Sequence, residues 1–109
     1  MSKSLNFNNV TKQYLNITFA DEKATTILVC MPTKSLLSEL TGLKGNLTAE
    51  ASIDSMDEIY DICVKIMNRN KAGKIITKEF LEDIFDFEDV LIFLKEYMRF
   101  VGEVAGRKN

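Results

Sequence analysis

The stretch that decides the fold is MNRNKAGKIITKEFLEDIFDFEDVLIFLKEYMRF, residues Met67–Phe100. A polar loop that contains Gly73 separates two segments in which apolar residues recur at helical spacing. Thr77 and Asp86 stand where N-caps are expected, and acidic residues follow each of them in the first turn. The stretch therefore predicts a helix, a loop, a short helix and, after a bend near Asp86, a last helix from Phe87 to about Val104.

The loop of this stretch resembles an EF-hand calcium loop in its layout. Asn68, Asn70 and Gly73 take the first, third and sixth positions, and Glu79 takes the twelfth. A calcium loop collects several carboxylates, whereas Glu79 is the only acidic residue here and four basic side chains surround it. We expect a connector between helices in which Gly73 supplies an open φ angle, with no metal site.

The first third of the chain carries strand patterns. Apolar and polar residues alternate in Leu5–Phe7 and again in Leu15–Phe19, which is typical of half-buried strands. The run Thr25–Met31 is continuous and rich in β-branched residues, and Pro32 ends it because proline cannot donate to a strand ladder. We expect a three-stranded antiparallel β meander over residues 1–32.

Two further helices are expected between the meander and the loop. Thr33 is a candidate N-cap for a short helix that Gly42 or Gly45 ends, and Ser52 or Asp54 is a candidate N-cap for the next helix. The chain then reads as one α+β domain, residues 1–109. Its N-terminal antiparallel three-stranded β meander (1–32) is followed by about four α-helices (33–109).

Composition excludes several classes of function. A net charge of -2 gives no electrostatic footprint for nucleic acid. The absence of histidine removes histidine acid–base catalysis, the usual nucleophile triads and most zinc sites. No apolar run has the length of a signal peptide core or a membrane span. We expect a cytoplasmic, non-enzymatic protein with no cofactor, no nucleic-acid partner and no membrane partner.

The two cysteines lie within apolar patterns, Cys30 in ILVCM and Cys63 in ICVKIM. Nothing in the sequence indicates an oxidising compartment, so two buried, reduced thiols are expected and a structural disulfide is not.

The last helix carries more apolar surface than one face needs. Its core stripe is expected to consist of Phe87, Val90, Leu91, Leu94, Tyr97, Met98 and Val101. Ile92, Phe93 and Phe100 fall outside the centre of that stripe. Either the helix is contacted on two sides, or the surplus binds a partner. The candidate partner-binding residues are Val90, Phe93, Tyr97 and Phe100.

The layout resembles a known family. A β meander leads through MPTKSLLSEL into a short helix, and MNRNKAGKIITKEFLEDIFDFEDVLIFLKEYMRFV follows near the C-terminus. This resembles the small tail assembly chaperones of long-tailed bacteriophages and prophages of Gram-positive hosts. The resemblance implies a non-enzymatic protein of the host cytoplasm that self-associates. It also implies binding to the tape-measure protein during tail assembly, with the tail-tube protein as a further partner.

Three other functions stay open. One is a different small phage or bacterial interaction or structural protein that dimerises through its last helix. Another is a degenerate EF-hand module that senses calcium. The third is a DNA-binding helix-turn-helix with Lys78–Phe85 as recognition helix, but its acidic residues Glu79, Glu82 and Asp83 would repel phosphate.

Overall fold

The computed structural model describes residues 4–43 and 53–106. These residues form an α+β arrangement of one two-stranded antiparallel sheet and four helices, preceded by a 3₁₀ turn at Phe7–Asn9. The elements are β1 (Leu15–Thr18), β2 (Thr26–Val29), α1 (Lys34–Gly42), α2 (Ile53–Met67), α3 (Lys78–Ile84) and α4 (Phe87–Ala105). The α+β class and the four helices agree with the sequence prediction.

β1 and β2 form a hairpin in which Leu15 lies opposite Val29. The turn between the strands is held by Asp21, whose carboxylate accepts hydrogen bonds from the backbone N–H (2.8 Å) and the hydroxyl (2.6 Å) of Thr25. Ala24 adopts a left-handed φ of 46° inside this turn. A side chain that bonds to the backbone a few residues on is a common way to stabilise such turns.

The expected three-stranded meander is not confirmed, because the described residues form two strands. The predicted first strand, Leu5–Phe7, instead runs into the 3₁₀ turn. The Asn6 side chain accepts a hydrogen bond from the Asn8 N–H at 3.0 Å, which favours a local turn over strand pairing. Every residue from Ser4 to Gln13 is exposed, so burial gives this segment no reason to pair.

The loop after α2 covers the outer edge of β2. Asn70 forms an isolated antiparallel bridge with Val29. The N–H of Cys30 donates to the carbonyl of Arg69 at 2.7 Å, and the N–H of Lys71 donates to the carbonyl of Leu28 at 2.9 Å. The third position of the sheet is thus taken by the segment after α2, while β1 remains at the opposite edge.

α2 is the centre of the helical part, and it contacts α1, α3, α4 and β2. Its buried residues recur at intervals of three and four, which places them on one face. They are Ile59, Ile62, Cys63, Ile66 and Met67. Lys78 at the start of α3 forms ion pairs with Asp57 (2.6 Å) and Asp61 (2.9 Å) of α2, which fixes α3 beside it.

The predicted N-caps of three helices are confirmed. The Thr33 hydroxyl accepts from the Leu36 N–H at 3.2 Å, and Thr77 caps α3 in the same way. Asp86 and Asp89 form a reciprocal capping box at the start of α4, so the chain bends there as expected. The predicted roles of Gly45, Ser52 and the Asp54 side chain lie outside the described residues.

Candidate partner-binding groove

The structure places three of the four candidate partner-binding residues in the core. Val90 and Tyr97 are fully buried, and Phe93 is 6% exposed. Phe100 is half-buried and lies against Tyr97, with ring centroids 6.1 Å apart. Contact of these residues with a partner stays a prediction. Phe93 lies in the buried stripe of α4 and not outside its centre, where the sequence pattern placed it.

Phe93 is buried because of its position in the helical repeat. It follows Val90 by three residues and precedes Tyr97 by four, so all three side chains lie within one face of α4. Leu91 and Met98, which the sequence pattern placed in the stripe, are half-buried instead. The spacing of apolar residues in the sequence indicates a buried face on α4, but the predicted centre of that face lies too close to Leu91.

A groove of about 340 Å³ lies between β1 and α4. Its apolar lining consists of Leu15, Ile17, Phe85, Ile92 and Phe93, and its polar lining of Asn16, Asp89 and Glu96. Ile92 is 55% exposed, although it belongs to the most apolar part of the last helix. The groove is where accessible apolar surface of α4 meets the sheet.

The floor of the groove is fixed by aromatic packing. Phe85, between α3 and α4, contacts Phe19 with ring centroids 5.6 Å apart, and Phe19 packs edge-on against Phe80 at 5.4 Å. The Tyr60 hydroxyl donates to the carbonyl of Phe85 at 2.7 Å. Burial, with nearby carboxylates, raises the pKa of Tyr60, so the hydroxyl keeps its proton and continues to donate.

One wall of the groove is a strand edge whose backbone groups point outward. The residues of β2 that bond toward the loop are Leu28 and Cys30, so Ile27 and Val29 direct their backbone groups toward β1. Their partners on β1 are Ile17 and Leu15. The alternate residues Asn16 and Thr18 therefore direct their N–H and C=O groups away from β2. Within residues 4–43 and 53–106, β1 pairs with β2 and with no other strand.

The rim of the groove is acidic. Asp89 and Glu96 lie two turns apart along α4, and among the residues that the structure describes no basic side chain belongs to the lining. Asp89 also accepts a hydrogen bond from the Asp86 N–H at 3.0 Å, which fixes the position of its carboxylate. An apolar segment with flanking positive charge therefore suits this groove better than an acidic one.

The loop that resembles a calcium loop is stabilised by two asparagine side chains. The Asn68 oxygen accepts from the Ile76 N–H at 2.8 Å, and its amide nitrogen donates to the carbonyls of Val64 and Ile76 at 2.9 Å. The side chain therefore ties the end of α2 to the strand-like segment before α3.

The Asn70 side chain makes a second set of hydrogen bonds within the loop, and it is a buried polar side chain with 8% exposure. Its oxygen accepts from the Lys74 N–H at 2.8 Å, and its nitrogen donates to the carbonyls of Met67 (2.9 Å) and Lys74 (2.7 Å). Gly73 has the expected positive φ, at 70°. The positions that would be calcium ligands in an EF-hand thus hold the backbone of this loop.

Among the residues that the structure describes, no three His, Cys, Asp or Glu side chains are grouped to hold a metal ion.

Both cysteines are free thiols, as expected. Cys63 is buried in α2, and burial raises its pKa to about 12. Cys30 is half-buried rather than buried, because it follows β2 at the margin of the core.

Comparison of the chain with known protein families, with curated proteins and with solved structures gives no match. None of the helices in the described part of the chain is long and apolar enough to cross a membrane.

Proposed function

We propose that this chain is a non-enzymatic tail assembly chaperone of the phage and prophage type. In this proposal it acts in the host cytoplasm and binds the tape-measure protein, with the tail-tube protein as a further partner. The proposal is supported by the layout of the sequence and by one structural observation, the groove between β1 and α4. The groove combines an apolar floor, an exposed isoleucine and a free strand edge in one place.

These features suit a client that must be kept from aggregating. Apolar side chains of a client segment can pack on Ile17, Phe85 and Ile92, and burial of the exposed Ile92 side chain contributes about 1 kcal/mol or more. The outward N–H and C=O groups of Asn16 and Thr18 can pair with an extended client segment. The carboxylates of Asp89 and Glu96 favour clients with lysine or arginine beside the apolar residues.

The four residues named from the sequence take different parts in this proposal. Phe93 lines the groove and contacts the client there, whereas the half-buried Phe100 lies on the same helix outside the groove lining and extends the client contact. Val90 and Tyr97 lie beneath them and fix their positions from the core. In this proposal the client-binding surface is centred on Ile92 and on Phe93, which is one of the four positions named from the sequence.

The test is co-expression of the chain with a tape-measure protein of the same genome. The expected result is a complex that co-purifies and keeps the tape-measure protein in the supernatant. Ile92→Glu should abolish both effects. Ile75→Glu is the matched control, because Ile75 is 84% exposed and lies outside the groove. If the client is equally soluble without the chain, or if both variants behave alike, the proposal is wrong.

A further inference from the structure

The N-terminal arm, residues 4–10, carries three large apolar side chains that have no place in the core of its own chain. Leu5 is 72% exposed, Phe7 is 69% exposed and Val10 is 38% exposed. Exposed apolar side chains close together in a short segment indicate a surface that another structure covers. The single turn at Phe7–Asn9, held by the Asn6 side chain, is too short to give the arm stability of its own.

The linker between the arm and β1 directs the arm away from the groove. Thr11, Lys12 and Gln13 line a cavity together with Met31 and Pro32, so the chain continues past the end of β2 without turning back. The linker is also held at Tyr14. The Nζ of Lys71, in the loop after α2, lies over the Tyr14 ring at 5.5 Å from the ring centroid. For the arm to reach the free edge of its own β1, this linker would have to detach and form a new turn.

The groove of a second copy has no such restriction, and its pattern matches the arm. Leu5 and Phe7 are two residues apart, so an extended arm presents both side chains on one face. Leu15 and Ile17 present theirs to the groove with the same spacing. The outward backbone groups of Asn16 and Thr18 lie at the edge where an added strand would pair.

The charges around the arm suit the groove. The arm itself, residues 4–10, carries no charged side chain, Lys3 and Lys12 flank it, and no acidic residue occurs among the first thirteen residues. Among the described residues, the groove lining contains the acidic Asp89 and Glu96 and no basic side chain. An uncharged segment with lysines on either side avoids the repulsion that an acidic segment would meet in this groove.

From these observations we infer that two copies of the chain form a dimer by exchanging their N-terminal arms. Leu5 and Phe7 of each copy occupy the groove between β1 and α4 of the other, and the arm adds as a third strand to the free edge of β1. The relationship is reciprocal, so both arms and both grooves are used. The inference concerns this chain alone and does not depend on the proposed client. Where the client uses the same groove, it has to displace the arm.

The first test is the solution mass, measured by analytical ultracentrifugation over micromolar to submillimolar concentration. The expected mass is twice that of the 12.4 kDa chain. The double variant Leu5→Ser with Phe7→Ser should be monomeric at concentrations at which the unchanged protein is dimeric. Ile75→Ser, which removes an equally exposed apolar residue outside arm and groove, should remain dimeric. A monomer at every concentration, or a dimer that the double variant preserves, overturns the inference.

The second test distinguishes exchange between copies from folding back within one copy. Phe7→Cys and Ile92→Cys are made in separate chains, each with Cys30→Ser so that the half-buried native thiol cannot compete, and one chain carries a mass tag. Oxidation of the mixture should give a cross-linked product with one chain of each kind. The control is a double variant that carries Phe7→Cys and Ile92→Cys in one chain. If the mixture gives no mixed product and this double variant cross-links within one chain, the arm closes on its own sheet and the inference is wrong.

Discussion

The Tyr97 hydroxyl donates to the carbonyl oxygen of Cys30 across 3.0 Å, and it joins the middle of α4 to the end of β2. The two residues are separated by most of the chain. The same end of β2 also receives the Arg69 side chain, whose Nε and Nη2 donate to the Met31 carbonyl at 3.2 and 3.0 Å. Sheet, loop and last helix thus meet at one point. Burial raises the pKa of Tyr97, so its hydroxyl keeps its proton and remains a donor.

Tyr97→Phe should lower the free energy of unfolding by about 1–2 kcal/mol, because one hydrogen bond is lost and the Cys30 carbonyl is left without that donor. The measurement is urea unfolding followed by circular dichroism. Tyr14→Phe is the control, since the half-buried Tyr14 ring keeps its contact with the Lys71 Nζ as phenylalanine, and this change should leave the stability within about 0.5 kcal/mol. Equal stability of the two variants would contradict the role given to the Tyr97 hydroxyl.

Asn70→Asp should lower the free energy of unfolding by about 2–4 kcal/mol. A carboxylate can accept from Lys74 N–H, but it cannot donate to the carbonyls of Met67 and Lys74, and it would be a charge in a buried position. The exposed Asn8→Asp is the matched control and should change stability little. Thermal and urea unfolding measure both, and a stable Asn70→Asp protein at neutral pH would show that the amide nitrogen is dispensable.

Millimolar calcium should leave the melting temperature of the unchanged protein where it is. The oxygens of Asn68 and Asn70 already accept backbone hydrogen bonds, and Glu79 is the one acidic residue of the loop. Differential scanning calorimetry with calcium and with chelator measures this directly. A rise in melting temperature that saturates with calcium would favour the degenerate EF-hand function instead.

Phe93→Ser should unfold the protein or lower its stability by about 3–5 kcal/mol, because Phe93 is buried in the stripe of α4 and stacks on Tyr97 with centroids 5.8 Å apart. Ile92→Ser, one residue away but 55% exposed, should change stability by less than about 1 kcal/mol. Urea unfolding compares the two. The opposite order would place Phe93 on the surface, as the apolar stripe read from the sequence had it.

Asp21 should give the protein a pH-dependent contribution to stability in acid. The hydroxyl and the backbone N–H of Thr25 bond to its carboxylate and hold the pKa of Asp21 below the ordinary value of 3.8. This contribution is present above the unfolded-state pKa and is lost as the pH falls through the lower folded-state pKa. Asp21→Asn should therefore be less stable than the unchanged protein at neutral pH, and the difference should shrink below pH 3.8.

The sequence was informative where local chemistry decides the structure. Thr33, Thr77 and Asp86 cap helices because their side chains bond to N–H groups three residues on, and such signals survive in any tertiary context. The positive φ of Gly73 follows from the same kind of local requirement. The starts of α1, α3 and α4 could therefore be predicted from the sequence.

Tertiary packing decided the rest. Alternation over Leu5–Phe7 is too short to distinguish a strand from an arm, and the hydrogen bond from the Asn8 N–H to the Asn6 side chain favours a local turn there. The candidate groove could not be found from the sequence, because it depends on the distance between β1 and α4. Ile92 was visible as an apolar residue off the stripe, but its pairing with Leu15 and Ile17 across the groove required the structure.

The bridge between Val29 and Asn70 also limits how large an assembly of this sheet can become. The segment after α2 occupies the outer edge of β2, so each copy offers one open strand edge and one arm to fill it. In the proposed dimer each arm pairs with the β1 edge of the other copy, so both arms and both β1 edges are used and no arm is left for a third copy. A sheet open on both sides could extend indefinitely as a fibre, whereas this one is closed on one side by its own chain and the proposed exchange is reciprocal.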